Sequence, residues 1–82
     1  MEMMQKFDKF GRKVTQVSVN WDVYMVPEYK VGDLVQHKWD AQARGLVRVA
    51  EASGTLLVDW LCAPLMLRAI QDYEVELISP VD

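Results

Sequence analysis

Lys30-Val31-Gly32-Asp33-Leu34-Val35 is the stretch from which the fold of this chain is best worked out. It follows a break at Pro27-Glu28-Tyr29, where proline removes a backbone donor and disfavours helix before it. Short apolar segments separated by turn residues continue from it to the C-terminus. Strands that recur every 8 to 12 residues, roughly, are typical of a small barrel or sandwich. We therefore predict an all-β domain over residues 30–82, preceded by an N-terminal arm over residues 1–29.

Five strands are predicted in this domain. They cover Val31 to Trp39, Gly45 to Glu51, Thr55 to Leu61, Leu65 to Ile70 and Glu74 to Ile78. Ser53-Gly54 predicts a tight turn, so the second and third strands form a hairpin. Asp40 to Gly45 is interpreted as a loop with helical-turn character.

The arm is predicted to begin with a short helix over Met1 to Phe10. Met3, Phe7 and Phe10 are spaced so that they share one helical face, and Gly11 follows as a C-cap. About ten residues do not hold a helix in water without packing. The segment therefore docks on something, or it orders only when a partner is present.

Thr15 to Met25 shows the clearest periodicity in the chain. Val17, Val19, Trp21, Val23 and Met25 alternate with polar residues, which predicts a half-buried strand. Met25 is also expected to be an adaptable contact residue. Typical strands have about 5–6 residues. This segment either bends at Asn20 into two strands or overhangs the barrel, where it would pair with a neighbour's edge. The alternative is that it wraps its own barrel.

The size of the chain favours association. It has 82 residues and a single cysteine, so an intrachain disulfide is not available. Scaffolds below about 70–80 residues usually need a disulfide, a metal or oligomerisation. Cys62 and His37 are too few for a structural zinc site, which takes about four ligands. We predict no cofactor and no metal, and a homo-oligomer or a subunit of a larger assembly.

Charge narrows the list of partners. The formal net charge is -3, which argues against dominant phosphate binding. Lys6, Lys9, Arg12 and Lys13 nevertheless make the N-terminal end basic, and the C-terminal end is acidic. Ends of opposite sign suit head-to-tail contacts between copies, although two solvated charge runs are the simpler interpretation.

The sequence predicts neither a signal peptide nor a membrane span. Charges interrupt the Met-rich start, which excludes a signal peptide, and no uncharged apolar run reaches about 18 residues. An intracellular, cytoplasmic or virion location away from membranes is expected, as the lone thiol suggests.

His37 is the only histidine, and no nucleophile–base pattern or phosphate-binding glycine loop accompanies it. We therefore predict that the protein is not an enzyme.

Four segments together resemble a known fold family. They are Lys30-Val31-Gly32-Asp33-Leu34-Val35, Gly45-Leu46-Val47, Leu57-Val58-Asp59-Trp60 and Val75-Glu76-Leu77-Ile78. This pattern, over residues 30–79, resembles the small Src-homology-3-like barrels of the Tudor/KOW kind, including short phage proteins associated with virions. The resemblance implies a five-stranded barrel, a single 3₁₀ turn near Gln71-Asp72-Tyr73, and Trp60 filling one end of the core. It implies little about function, because this fold has many roles.

The predicted interface combines the arm with the segment after Trp60. In such barrels that segment is commonly polar, whereas here it is Leu61-Cys62-Ala63-Pro64-Leu65-Met66-Leu67, which a tiny barrel cannot bury entirely. The predicted protein-contact residues are Met3, Phe7, Phe10, Val17, Val19, Trp21, Val23, Leu61, Leu65, Met66 and Leu67. The predicted function is a self-associating or virion-type structural module.

The alternative function is a Tudor/KOW-type adaptor that binds nucleic acid or a peptide. Its candidate face contains Lys38, Trp39, Arg44, Arg48 and Arg68, with the tryptophan available for base stacking. Few basic residues stand against twelve acidic ones, so nucleic acid is the less favoured partner. An aromatic cage for a methylated cation is a further alternative, against ordinary packing of the aromatic residues.

Overall fold

The computed structural model describes residues 6–61 and 67–81, apart from the side chain of Leu67. Within these ranges the chain forms eight strands and one 3₁₀ helix, which confirms the all-β prediction. The strands are β1 (Lys6–Phe7), β2 (Lys13–Val19), β3 (Asp22–Pro27), β4 (Leu34–His37), β5 (Asp40–Ala50), β6 (Thr55–Trp60), β7 (Leu67–Gln71) and β8 (Val75–Ser79). They make a three-stranded sheet, β1-β2-β3, and a five-stranded sheet, β7-β6-β5-β4-β8.

The five-stranded sheet is antiparallel throughout and carries most of the core. Alternate residues point to one face, so Val35, Val47, Val58, Val75 and Leu77 pack together and are buried. Trp60 is also buried, as the resemblance implied. The strands predicted from the sequence are therefore confirmed where they fall on residues 45–60 and 67–79.

Two predicted boundaries in this sheet need correction. Asp40 to Gly45 is not a loop, because β5 begins at Asp40 and pairs with β4 through a tight turn. Ladder hydrogen bonds to β4 override the weak strand propensity of Ala41-Gln42-Ala43. The first predicted strand is shorter than expected, since Gly32 has φ +100° and the strand starts only at Leu34. The predicted 3₁₀ turn is present at Asp72–Glu74.

The arm forms a hairpin rather than one long strand. β2 and β3 pair in register from Val14↔Pro27 to Val19↔Asp22, so the chain reverses at Asn20-Trp21. The bend at Asn20, one of the two predicted possibilities, is therefore the observed one. A two-residue turn shifts the phase of the alternation, and Tyr24 and Val26 face the core after it instead of Val23 and Met25.

The predicted N-terminal helix is wrong for the residues that the structure describes. Lys6 and Phe7 form β1, which pairs with β2. The turn that follows is closed by the Asp8 carboxylate, whose Oδ1 accepts the N–H groups of Phe10 and Arg12 at 2.9 and 2.8 Å. Gly11, at φ +80°, belongs to this turn and caps no helix. When an aspartate side chain accepts hydrogen bonds from nearby backbone N–H groups, these bonds compete with the backbone hydrogen bonds of a helix. Met1 to Gln5 lie outside the described residues.

The two sheets meet through a few side chains. Val26 of β3 and Tyr29 of the connection to β4 are buried in the common core. The rings of Tyr24 and Tyr73 lie 5.3 Å apart, and Lys38 lies over the Tyr24 ring while its Nζ donates to the Tyr73 carbonyl. The molecule is elongated, with extents of 49 × 31 × 22 Å. In the described part of the chain, no helix has the length and apolar character needed to cross a membrane.

Candidate interaction surface

The exposed end of the β2–β3 hairpin carries large apolar side chains. Trp21, at the tip, has a relative exposure of 102%, so its indole touches no other part of the described molecule. Val23 and Met25 lie two residues apart on β3, share one face, and are 57% and 45% exposed. Their cross-strand partners, Ser18 and Gln16, are uncharged. We call Trp21, Val23 and Met25 the hairpin patch.

The tip itself is strained. Asn20 and Trp21 have φ values of 48° and 76°, as a two-residue turn of the I′ kind requires. Asparagine tolerates this region, but tryptophan rarely adopts it, and glycine is the preferred residue at the second position. A strained, fully exposed tryptophan is unfavourable for the isolated fold. Backbone strain of this kind is concentrated at functional sites in proteins.

A buried ion pair anchors the base of the hairpin. Arg12 Nη2 and Nη1 donate to the two carboxylate oxygens of Asp33 at 2.7 and 2.8 Å, and Nη1 also donates to the Glu28 carbonyl. Asp33 accepts two further bonds, from the backbone N–H groups of Lys30 and Val81. We call this set the Arg12–Asp33 lock. It joins the three-stranded sheet, the connection to β4 and the C-terminal segment.

The lock also sets the charge state of Asp33. Burial by itself raises the pKa of this carboxyl, but the hydrogen bonds from Arg12, Lys30 and Val81 together outweigh burial and lower it. Asp33 therefore stays ionised, and its charge is paired inside the protein. Such a pair is expensive to break, because the remaining buried charge would lose the partner that offsets its desolvation.

A first concavity lies at the junction of the two sheets. It has a volume of about 430 Å³ and walls formed by Phe10, Met25, Pro27, Val75 and Leu77. Four charged residues also line it, namely Asp8, Lys9, Lys38 and Glu76. We call it the junction cleft. Its walls are mostly apolar, and its rim carries both signs of charge.

A second concavity, of about 540 Å³, lies between the hairpin and the turn that joins β5 to β6. Val17, Val26 and Leu56 contribute apolar groups, and Glu28, Glu51, Asp72 and Lys13 contribute charge. Burial raises the pKa of Asp72, against weaker lowering by hydrogen bonds from its own N–H and that of Tyr73. Burial and the charge of Asp72 also raise the pKa of Tyr29, whose hydroxyl donates to the Val75 carbonyl.

An aromatic cluster lies at the opposite hairpin, between β4 and β5. The centroid of the His37 ring is 5.8 Å from that of Trp39 and 6.2 Å from that of Trp60. The His37 Nδ1 accepts a hydrogen bond from the backbone N–H of Trp39 at 3.2 Å. Trp39 is largely exposed, whereas Trp60 is buried. The cluster therefore offers one accessible indole face beside an imidazole. Trp21 lies alone at the tip of the β2–β3 hairpin and Tyr24 packs on Tyr73, so the aromatic side chains that could form a cage are not gathered at one place.

The predicted protein-contact residues fall into three groups. Phe7, Trp21, Val23 and Leu61 are exposed. Phe10 and Val17 are half-buried against the core, and Val19 is half-buried near the hairpin tip. Met3, Leu65 and Met66 lie outside the described residues, and Leu67 is placed in β7 without its side chain. Met25, expected from the sequence as an adaptable contact residue, is 45% exposed.

The predicted basic face is not assembled as one surface. Arg44 Nε donates to Gln36, and Arg48 forms an exposed ion pair with Asp59 at 3.1 Å. Arg68 lies directly across from Val58 in the β6–β7 register, so its side chain is on the same face of the sheet as Val58. Asp59 is on the other face. Lys38 is turned to Tyr73 and Tyr24. Trp39, Arg44 and Arg68 are exposed and have no acidic partner among the described residues, but Arg68 lies on β7, two strands away from the hairpin that carries Trp39 and Arg44.

The described residues contain no group of three or more His, Cys, Asp or Glu side chains able to hold a metal ion. The sequence interpretation missed the pairing of Arg12 with Asp33, because it placed Arg12 in a basic run and Asp33 at the start of the first predicted strand. Their separation of 21 residues leaves no local signal for the pair. Searches against protein-family models, curated proteins and solved structures found no match to this chain.

Proposed function

We propose that this chain is a non-enzymatic binding and structural module that self-associates or docks in a larger assembly. The observation that carries the proposal is the hairpin patch, in which Trp21, Val23 and Met25 expose large apolar side chains on one projecting element. Single exposed apolar residues need no explanation, but a cluster led by an exposed tryptophan resembles the anchor of a protein interface.

The edges of the sheets support the same proposal. β3 pairs only with β2 in the described part of the chain, and β1 covers just the first residues of β2. Uncovered strand edges present backbone donors and acceptors to another chain. A short element with apolar side chains and uncovered edges suits burial against another polypeptide. The Arg12–Asp33 lock holds this element in one orientation before any partner binds.

The fold family and the setting belong to this proposal. The strand order β7-β6-β5-β4-β8, with a 3₁₀ turn between its two edge strands, supports a Src-homology-3-like barrel of the Tudor/KOW kind. A role as a virion structural protein in an intracellular setting follows from that resemblance. The three-stranded sheet before the barrel would then be the added element that mediates assembly.

The test compares two valines that are equally exposed. Val23, in the hairpin patch, and Val31, outside it, are both 57% exposed. We expect Val23→Glu to lower the assembly mass measured by sedimentation velocity, because it places a charge in the contact. Val31→Glu should leave the mass unchanged. Equal effects of the two variants, or a wild-type chain that stays monomeric at its highest soluble concentration, would contradict the proposal.

The second candidate function is an adaptor that binds nucleic acid or a peptide. The exposed Trp39 beside His37, together with Arg44 on the same hairpin, favours it, since aromatic faces and guanidinium groups stack on bases. A fluorescence titration with single-stranded and duplex oligonucleotides tests this function. Binding that weakens with salt and is lost in Trp39→Ala would support it, whereas binding unaffected by that change would count against this face.

A further inference from the structure

The hairpin tip has two properties that one contact would explain together. Trp21 is fully exposed and occupies a backbone conformation in which glycine would be favoured. Neither property helps the isolated chain. Both are accounted for if the indole is delivered into a cavity of another molecule, because the turn then presents the side chain at the far end of the hairpin.

The junction cleft has the chemistry to receive this tip. Its volume of about 430 Å³ exceeds the cavity of about 150 Å³ that accepts benzene, so an indole fits with room for solvent. Phe10, Met25 and Pro27 supply apolar walls. An indole has one donor, its Nε1–H, and Glu76, which is among the residues that line the cleft, is a residue with acceptor groups.

Charge at the rim matches charge at the tip. Asp22 follows Trp21 directly, and the Lys9 ammonium lies at the cleft beside Phe10, with Nζ 5.2 Å from the ring centroid. A tip entering the cleft would bring the Asp22 carboxylate toward this ammonium group. Because Trp21 is fully exposed, it does not occupy the cleft of its own molecule. The cleft that it can fill belongs to a second copy.

We propose that copies of this chain associate head to tail, with the Trp21 tip of one copy inserted into the Phe10–Met25–Pro27 cleft of the next. The inference rests on the proposed self-association and names its contact. The tip and the cleft are different surfaces, so the contact is heterologous. It produces a ring where the rotation closes and an open chain where it does not.

The first experiment separates association from folding. Trp21→Gly removes the indole and gives the turn its favoured Asn-Gly sequence. We expect its dissociation constant, from sedimentation equilibrium, to rise at least about 30-fold, as for an interface tryptophan anchor. We expect its unfolding midpoint, measured under monomeric conditions, to be equal to or higher than that of the wild type. Opposite effects on association and folding exclude misfolding as the cause.

The second experiment mixes two defective variants. Met25→Glu places a carboxylate in the cleft wall and keeps Trp21, whereas Trp21→Gly keeps the cleft. Each variant alone should be monomeric, and their mixture should form a 1:1 dimer that grows no further. Lys9→Glu replaces Met25→Glu if the latter unfolds at a lower temperature than the wild type, and it leaves the apolar walls intact.

The outcomes distinguish this contact from the broader proposal. A wild-type assembly that persists unchanged in Trp21→Gly overturns the tip-to-cleft contact but leaves self-association through another surface. Two monomeric variants that fail to dimerise when mixed overturn the head-to-tail geometry. A wild-type chain that is monomeric at every concentration overturns both, and binding of Trp21 to lipid vesicles by such a monomer would assign the tip to a membrane surface.

Discussion

The three-stranded and five-stranded sheets are held together in different ways. Among the described residues, every buried hydrophobic side chain except Val26 and Tyr29 comes from the five-stranded sheet. That sheet has its own core, with Val35, Val47 and Val58 completely buried. The three-stranded sheet contributes one buried apolar side chain and leaves Trp21, Val23 and Met25 in solvent.

The difference shows where polar contacts replace packing. The three-stranded sheet is fixed to the rest by the Arg12–Asp33 lock, whereas the described ion pair within the five-stranded sheet, between Arg48 and Asp59, is exposed. A buried ion pair fixes the orientation of the segments that it joins more than it adds net stability, because the cost of desolvating the charges offsets much of their attraction. The hairpin is therefore well oriented but poor in buried apolar surface, as suits an element that completes its packing on a partner.

The largest expected effect comes from breaking the lock. Asp33→Ala removes the acceptor for four hydrogen bonds and leaves the Arg12 guanidinium buried without its carboxylate. We expect a loss of about 3–5 kcal/mol in the free energy of unfolding, measured by urea denaturation. Hydrogen exchange should also show that the amides of β2 and β3 lose protection before those of β5 and β6.

The matched control is Asp59→Ala, which removes the exposed ion pair with Arg48. Exposed pairs contribute about 0–1 kcal/mol, so this variant should unfold close to the wild type. If the two variants lose the same stability, the lock is not what joins the sheets. Equal loss of exchange protection in both sheets of Asp33→Ala would mean that they unfold as one unit.

The next effect tests packing inside the five-stranded sheet. Gly45 faces Trp60 across the β5–β6 ladder, and a Cβ there would lie 2.5 Å from Val58 Cγ1 and 2.8 Å from the Asp59 carbonyl oxygen. Gly45→Ala should destabilise the protein by about 1–3 kcal/mol, through strain in a filled core. Gly11→Ala is the control for added volume, because nothing lies within 4 Å of its Cβ position, although its positive φ adds some backbone strain. A Gly45→Ala variant with wild-type stability would show that neighbouring atoms can shift to accommodate the added methyl group.

The two regions also differ in how well the sequence predicts them. Alternation over residues 45–79 predicts β6 and β8 closely, because one face of each strand is buried by neighbouring strands. Alternation over residues 15–25 is the clearest in the chain, but it continues across Asn20-Trp21, so a bend at Asn20 is only one of the alternatives that it allows. Tryptophan is a poor signal for a turn, since it has no preference for positive φ.

The candidate site is predicted less well than the fold, for physical reasons. Trp21, Val23 and Met25 are expected from the sequence as contact residues and are exposed, but the junction cleft depends on how the two sheets are placed. The lock joins residues 21 positions apart, and a basic run gives no sign that one arginine is buried. Contacts between distant segments have no periodicity, so sequence pattern alone does not contain them.

The smallest expected effect concerns Asp72, which lies in the concavity between the two regions. Burial raises the pKa of this carboxyl above the ordinary value of 3.8, so folding disfavours its ionised form. The ionised group therefore costs stability, and this cost develops as the pH rises from 3.8 through the pKa of the folded state. Asp33 has the opposite sign, because its pKa is lowered and its contribution is lost as the pH falls below 3.8.

Asp72→Asn isolates the Asp72 contribution. The variant has no charge to bury, and its side-chain carbonyl can still accept the N–H group of Tyr73. We expect it to match the wild type near pH 3 and to be more stable near pH 7, by less than about 1 kcal/mol because solvent screens a partly exposed group. Urea denaturation of both proteins at each pH measures the difference in their free energies of unfolding. The Asp33 contribution cancels in this difference, because both proteins contain Asp33. A difference that stays constant with pH would assign the effect to packing against Gly54, whose Cβ position lies 3.0 Å from Asp72 Oδ2, rather than to charge.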